Sequence, residues 1–134
     1  MSLEFSLTFG VPAKVLYAAL TNQLELSKVT RCPAVFNNTE GGEFVYFNGK
    51  IQGTNVTLKK DELIEQKWKM SDWSSHSNVK LIFDEVDDEE VELVIKQTDI
   101  PSSCNKNSLK GGWMGMIFEP LSGILGYPIT ERNL

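Results

Sequence analysis

An α+β fold, an antiparallel sheet wrapped around a long C-terminal helix, is what the order of hydrophobic periodicities predicts. Three observations carry it. The chain opens on period-two alternation, runs through strand-like segments from Pro33 to Ile100, and switches to helical spacing from Ser108 onward. Period two places alternate side chains on one face of a sheet, whereas a period of about 3.6 places every third or fourth on one face of a helix. A sheet with one apolar face and a helix with a wide apolar stripe are stable when each covers the other.

Leu3, Phe5, Leu7 and Phe9 alternate with Glu4, Ser6 and Thr8, which predicts a half-buried strand. Gly10 ends it, and Pro12 suits a first helical position, where its missing N–H has no partner to lose. Val15, Leu16, Ala19 and Leu20 recur at helical spacing and predict a short helix over 12–21. Residues 22–28 read as a further turn or two, packed through Leu24 and Leu26.

Beyond Pro33 the chain turns to strands. Glu43 to Phe47 is aromatic and β-branched, Asn48-Gly49 is a strong hairpin signal, and Lys50 to Leu58 continues as the next strand. Leu63 to Met70 sets Ile64, Gln66, Trp68 and Met70 against Glu65, Lys67 and Lys69. Val79, Leu81 and Phe83, then Val91, Leu93 and Ile95, form the inward faces of two more strands, joined by a charged turn at Asp87-Asp88. A run of roughly six strands in sequence predicts an antiparallel meander.

Ile100-Pro101 ends the strands. Trp113, Ile117, Leu121 and Ile124 then make one helical stripe, flanked by Met114, Phe118 and Leu125, with Gly126 and Pro128 as the stop. Gly111, Gly112, Gly115 and Gly123 are expected to let this helix approach its neighbours closely, and Pro120 to kink or split it. This order of elements is of the helix-grip type.

With 134 residues, one domain over 1–134 is expected, large enough for a real core. The net charge of −5 repels phosphate backbones and anionic lipid, so neither nucleic acid nor a membrane is expected as a partner. The same sign is compatible with a basic protein partner. The residues from Met1 to Gly10 lack the apolar run of a secretory signal, and two isolated cysteines, Cys32 and Cys104, read as free thiols in a reducing cytosol. A cytoplasmic location follows as an expectation.

Chemistry is sparse. Enzymes need placed nucleophiles, bases or metals, and His76 is the only histidine. No motif joins it to Cys32 or Cys104, and no spacing supports a metal site, so catalytic residues, metal and cofactor are all expected to be absent. Gly41-Gly42 and Gly111-Gly112 lack the strand–GxxxxGK–helix setting of a phosphate loop. The run from Asp84 to Glu92 is either a docking patch or, as charge clusters usually are, a solvated hairpin turn. Phe44, Tyr46, Trp68, Trp113, Ile117 and Phe118 fall on inward faces, as core or as the lining of a cavity. Trp73 differs: it lies in the loop Ser71-Asp72-Trp73-Ser74-Ser75-His76, either pinned against the body or presented to a partner.

From Gly41 to Tyr127 the chain resembles the activators of the heat-shock protein 90 ATPase. The pieces are Gly41-Gly42-Glu43-Phe44, Asn48-Gly49-Lys50-Ile51-Gln52-Gly53, Ile64-Glu65-Gln66-Lys67-Trp68-Lys69, Trp73 with His76, Asp99-Ile100-Pro101, Gly112-Trp113, Phe118-Glu119 and Gly126-Tyr127. Each is short, and it is their order and spacing that carry the resemblance. It implies the C-terminal domain of such an activator, with the helix-grip fold shared with START-type lipid carriers and birch-pollen-allergen-like proteins. It implies a cochaperone that binds heat-shock protein 90 and favours its ATPase-competent closed state, with Trp73 and His76 as candidate contacts. The alternative is a carrier holding a small hydrophobic ligand between sheet and helix.

Overall fold

The computed structural model describes residues 1–134. The opening alternation becomes strand β1 (Leu3–Phe9), with Leu3, Phe5, Leu7 and Phe9 all buried. Helix α1 (Ala13–Leu20) follows, with Pro12 one position earlier than expected, at the N-cap. Helix α2 (Gln23–Thr30) is capped by Asn22, whose side chain accepts from the N–H groups of Leu24 and Glu25. Leu26 is buried as expected. Leu24 is not: at the capped first turn it points outward and is 72% exposed.

Six strands then pair in sequence: β2 (Val35–Phe36), β3 (Glu43–Tyr46), β4 (Ile51–Lys59), β5 (Leu63–Met70), β6 (Ser77–Asp87) and β7 (Glu90–Thr98). Every predicted inward residue of β6 and β7 is buried. The Asn48-Gly49 turn is wider than a two-residue hairpin. Tyr46 pairs with Ile51, and Phe47 and Asn48 both adopt positive φ before Gly49 at φ 98°. Further along the hairpin, Gly53 lies across from Trp68, where a Cβ would sit 1.8 Å from the Lys67 carbonyl oxygen. Helix α2 shields the β2 edge: Gln23 Oε1 accepts from the Phe36 N–H and Ser27 Oγ from the Ala34 N–H.

The C-terminal helix runs as α3 (Lys106–Gly112), a π-helical segment Trp113–Phe118, and α4 (Glu119–Leu125). Pro120 therefore does not break it. Proline has no N–H to give and its ring collides with the carbonyl four residues back in an α turn. The wider turn ahead of it, in which the Glu119 N–H reaches Met114 O, lets the helix continue in αR geometry. The stripe Trp113, Ile117 and Leu121 is buried with Leu109 and Phe118, while Ile124 is exposed. Close approach at the glycines is not found: space beside Gly111, Gly115 and Gly123 is open.

After Gly126 caps the helix, a strand the periodicity had not predicted, β8 (Ile129–Asn133), pairs with β1. The sheet order is β2-β3-β4-β5-β6-β7-β1-β8, all antiparallel. One cluster of 29 buried residues joins β1, the meander and all helical segments.

Candidate functional site

The inward aromatics form a continuous stack running from the loop after β5 into the core. Trp73 meets Trp68 edge-on, with ring centroids 5.5 Å apart. Trp68 stacks on Trp113 at 5.2 Å, and Trp113 on Phe118 at 5.7 Å. The sheet supplies Trp68, the loop after β5 supplies Trp73, and the helix supplies Trp113 and Phe118, so the stack bridges the two layers. Phe44 and Tyr46, on β3, pair with each other at 5.2 Å.

A buried polar chain accompanies the stack. Trp113 Nε1–H donates to Gln97 Oε1 at 2.9 Å, Gln97 Nε2 donates to Ser77 Oγ at 3.0 Å, and Ser77 Oγ donates to Trp68 O at 2.7 Å. Gln97 is fully buried. A second chain runs from Gln66 Nε2 to Asn55 Oδ1 and from Asn55 Nδ2 to Asn37 O. Burial pushes the Tyr46 hydroxyl well above the usual tyrosine range, against a smaller opposing effect of its hydrogen bond with Gln66. Gln97 and Ser77 were not singled out in the sequence. Their signal was there: Gln97 shares the parity of Val91, Leu93 and Ile95, and Ser77 that of Val79 and Leu81.

Trp73 is half-buried, and the chain around it is held. Its N–H donates to Met70 O at 3.0 Å, Lys69 Nζ donates to its carbonyl at 3.1 Å, and the Ser71 N–H donates to Lys50 O at 2.9 Å. Its ring edge reaches Trp68, and Ser74, Ser75 and His76 beside it are exposed. Of the sequence candidates, Tyr46, Trp68, Trp113, Ile117 and Phe118 line one shared space between sheet and helix; Phe44, Trp73 and His76 do not. That space has a volume of about 30 Å³, whereas one water needs roughly 10–15 Å³ on the same measure. No three His, Cys, Asp or Glu side chains converge on a point that would hold a metal ion.

Comparison with known proteins places these features. Residues 10–126 match the protein family described as Activator of Hsp90 ATPase homolog 1-like protein. The chain is 28% identical, over 99% of its length and 40% of the relative's, to the mouse protein named activator of 90 kDa heat shock protein ATPase homolog 2. It is 30% identical, over 83% of its length and 29% of the relative's, to an activator of 90 kDa heat shock protein ATPase homolog from Dictyostelium discoideum. It thus spans two fifths or less of the length of these relatives. Among solved structures, an HSP90 activator from Plasmodium falciparum superposes with a TM-score of 0.90 and 31% identity, covering 96% of this chain and 98% of that one. CalU16 from Micromonospora echinospora shares the fold alone, at a TM-score of 0.77 and 16% identity over 96% of this chain and 77% of that one. A family match that begins at the end of β1 and closes on the helix cap, over a helix-grip sheet and its gripped helix, identifies the chain as a member of the family of Activator of Hsp90 ATPase homolog 1-like proteins.

Proposed function

We propose that the chain is a binding module, a cochaperone domain over 1–134 that docks on heat-shock protein 90 and favours its ATPase-competent closed state. The observation that supports this best is the Plasmodium falciparum HSP90 activator, which this chain matches at 31% identity and covers over 98% of its length. Such a module acts without chemistry of its own. It binds one conformation of its partner better than another, and a difference of ~1–3 kcal/mol shifts the population five- to 150-fold. The loop Ser71–His76 is the proposed contact: Trp73 offers a large, pre-positioned aromatic and His76 a polar neighbour, as interface anchors do.

The small volume between sheet and helix weighs against a carrier of hydrophobic ligands, since drug-sized ligands occupy pockets of roughly 300–1,000 Å³. Two free thiols accord with a cytoplasmic location, and no helix is long and apolar enough to cross a membrane. Calorimetric titration of heat-shock protein 90 with and without a nonhydrolysable ATP analogue tests the proposal. Tighter binding to the nucleotide-closed dimer is expected; equal or absent binding in both states overturns it.

A further inference from the structure

The eight-stranded sheet has two ends, and both are covered. At one, the side chains of Gln23 and Ser27 take N–H groups of Phe36 and Ala34 at β2. At the other lies β8, paired to β1. Beneath it, β1 is a regular strand that alternates buried Leu3, Phe5, Leu7 and Phe9 with Glu4, Ser6 and Thr8. A bare edge of that kind presents a row of unpaired N–H and C=O groups, a ready template for another strand.

The cover that β8 gives is loose. It pairs with Ser6, Leu7, Thr8 and Phe9, leaves Leu3, Glu4 and Phe5 without a partner on that side, and shifts register between Thr8 and Phe9. Ile129 is half-buried, and Thr130, Glu131, Arg132 and Asn133 are exposed. Three side chains add ties. Arg132 Nε and Nη2 donate to Glu119 Oε1 at 3.0 and 2.9 Å, Thr130 Oγ1 donates to Glu90 Oε2 at 3.1 Å, and Asn133 Nδ2 donates to Ser6 Oγ at 3.4 Å. All three are exposed, where such contacts contribute little. On the other side of β1, β7 pairs along the whole of Leu3–Phe9, and its Val91, Leu93 and Ile95 are fully buried. Elements with little buried apolar surface open first, so β8 detaches at least cost.

The two edges differ in what they accept. A strand pairs with its own copy about a two-fold axis normal to the sheet, which keeps each side chain on its face and centres the pairing on one residue that meets itself. Centred on Ser6, β1 pairs with β1 of a second copy over its full length. Leu3 then meets Phe9, Glu4 meets Thr8, Phe5 meets Leu7, and no like charges face each other. The free edge of β8 has no such register. Centred on Glu131 or Arg132 it sets like charges opposite, and centred on Thr130 it brings in Pro128, which has no N–H to give. We propose that β8 is a detachable guard, and that the β1 edge it covers is an interaction surface for a second copy of this chain, antiparallel and centred on Ser6. The inference is independent of the cochaperone reading.

The test uses the full chain. Adjacent strand residues direct their N–H groups to opposite sides, so Thr130→Pro with Glu131→Pro removes a ladder bond of β8 whichever of the two faces β1. Sedimentation equilibrium should find the unsubstituted chain monomeric and the double variant at twice the monomer mass. Adding Ser6→Lys sets two like charges at the centre and should weaken that dimer about fivefold, while Glu92 remains a partner within the chain. Should the proline pair unfold the domain, Thr130→Ala with Arg132→Ala removes two of the side-chain ties, keeps the strand, and should give the same dimer at higher protein concentration. Hydrogen exchange on the unsubstituted chain should show the slowest amides of β8 opening about a hundredfold more often than those of β7. A dimeric unsubstituted chain, loosened variants that stay folded and monomeric to millimolar concentration, a dimer that Ser6→Lys leaves unchanged, or β8 amides as protected as those of β7 each overturn the proposal.

Discussion

The indole N–H of Trp113, midway along the C-terminal helix, donates to Oε1 of Gln97 on β7 at 2.9 Å, and this bond sets how the helix is turned against the sheet. Hydrophobic burial alone is non-directional and would accept several rotations of the stripe. A buried acceptor with one donor in reach accepts one. Gln97→Leu should therefore cost about 2 kcal/mol, because the Trp113 N–H stays buried without a partner. Urea melts measure the loss, and near-ultraviolet circular dichroism should report a reoriented Trp113.

Removing the ring costs more. Trp113 stacks with both Trp68 and Phe118. Trp113→Ala should destabilise by roughly 3–5 kcal/mol, as truncation of large buried aromatics does. A loss below about 1 kcal/mol in urea melts would mean that the ring contributes no packing.

Trp73 stands at the outer end of the same stack, so its two roles have to be measured together. Its edge-to-face contact with Trp68 predicts a stability loss of about 1–2 kcal/mol for Trp73→Ala. As an interface anchor it should also weaken heat-shock protein 90 binding by about 2 kcal/mol or more. Melts and calorimetry on one preparation separate the two. A stability loss with unchanged affinity assigns Trp73 to the body of the domain and moves the contact elsewhere.

Two glycines should respond in opposite directions. At Gly53 a Cβ meets the Lys67 carbonyl oxygen at 1.8 Å and Phe44 Cζ at 2.8 Å, so the β4–β5 pair must separate. Gly53→Ala is expected to cost about 2–3 kcal/mol. Gly111 lies in the helix with open space beside it, and Gly111→Ala should stabilise by about 0.5–1 kcal/mol through helix propensity. Thermal melts of both variants check the contrast.

The raised hydroxyls of Tyr17 and Tyr46 predict an alkaline limit. In the unfolded chain both ionise near pH 10, whereas the folded chain keeps them protonated to higher pH. Their contribution to stability is thus complete below about pH 10 and is lost as pH rises through the folded values. Urea midpoints between pH 8 and pH 12 should fall from about pH 10 upward. Tyr46→Phe should flatten that fall, and tyrosinate absorbance should show a late-titrating hydroxyl in the folded protein.

What the sequence determined by itself was which side of each element faces inward. Period two named Leu3, Phe5, Leu7 and Phe9 of β1, Ile64, Gln66 and Trp68 of β5 and the apolar inward residues of β6 and β7, though not the buried Thr8, Ser77 and Gln97, and helical spacing named Trp113, Ile117 and Leu121, because the pleat and the helical turn impose those faces locally. The inward positions of Trp68, Trp113 and Phe118 and the loop position of Trp73 were legible in the same way, but that these rings stack on one another was decided by the tertiary structure. Other features were decided by chain far away. Leu24 is apolar yet exposed, because the cap at Asn22 orients the first turn of α2 outward and nothing covers it. β8 exists because β1 offers an unpaired edge, which its own residues, almost all polar and exposed, do not announce. Pro120 is absorbed by a π turn, in which the Glu119 N–H reaches Met114 O and the helix keeps its αR geometry, and no residue spacing announces that turn. A surface cleft lined by Tyr17, Glu40 and Asp61 joins α1 to two turns more than 15 residues later in the chain. No periodicity reports such a meeting, since it depends on where the finished sheet and helices bring those segments together.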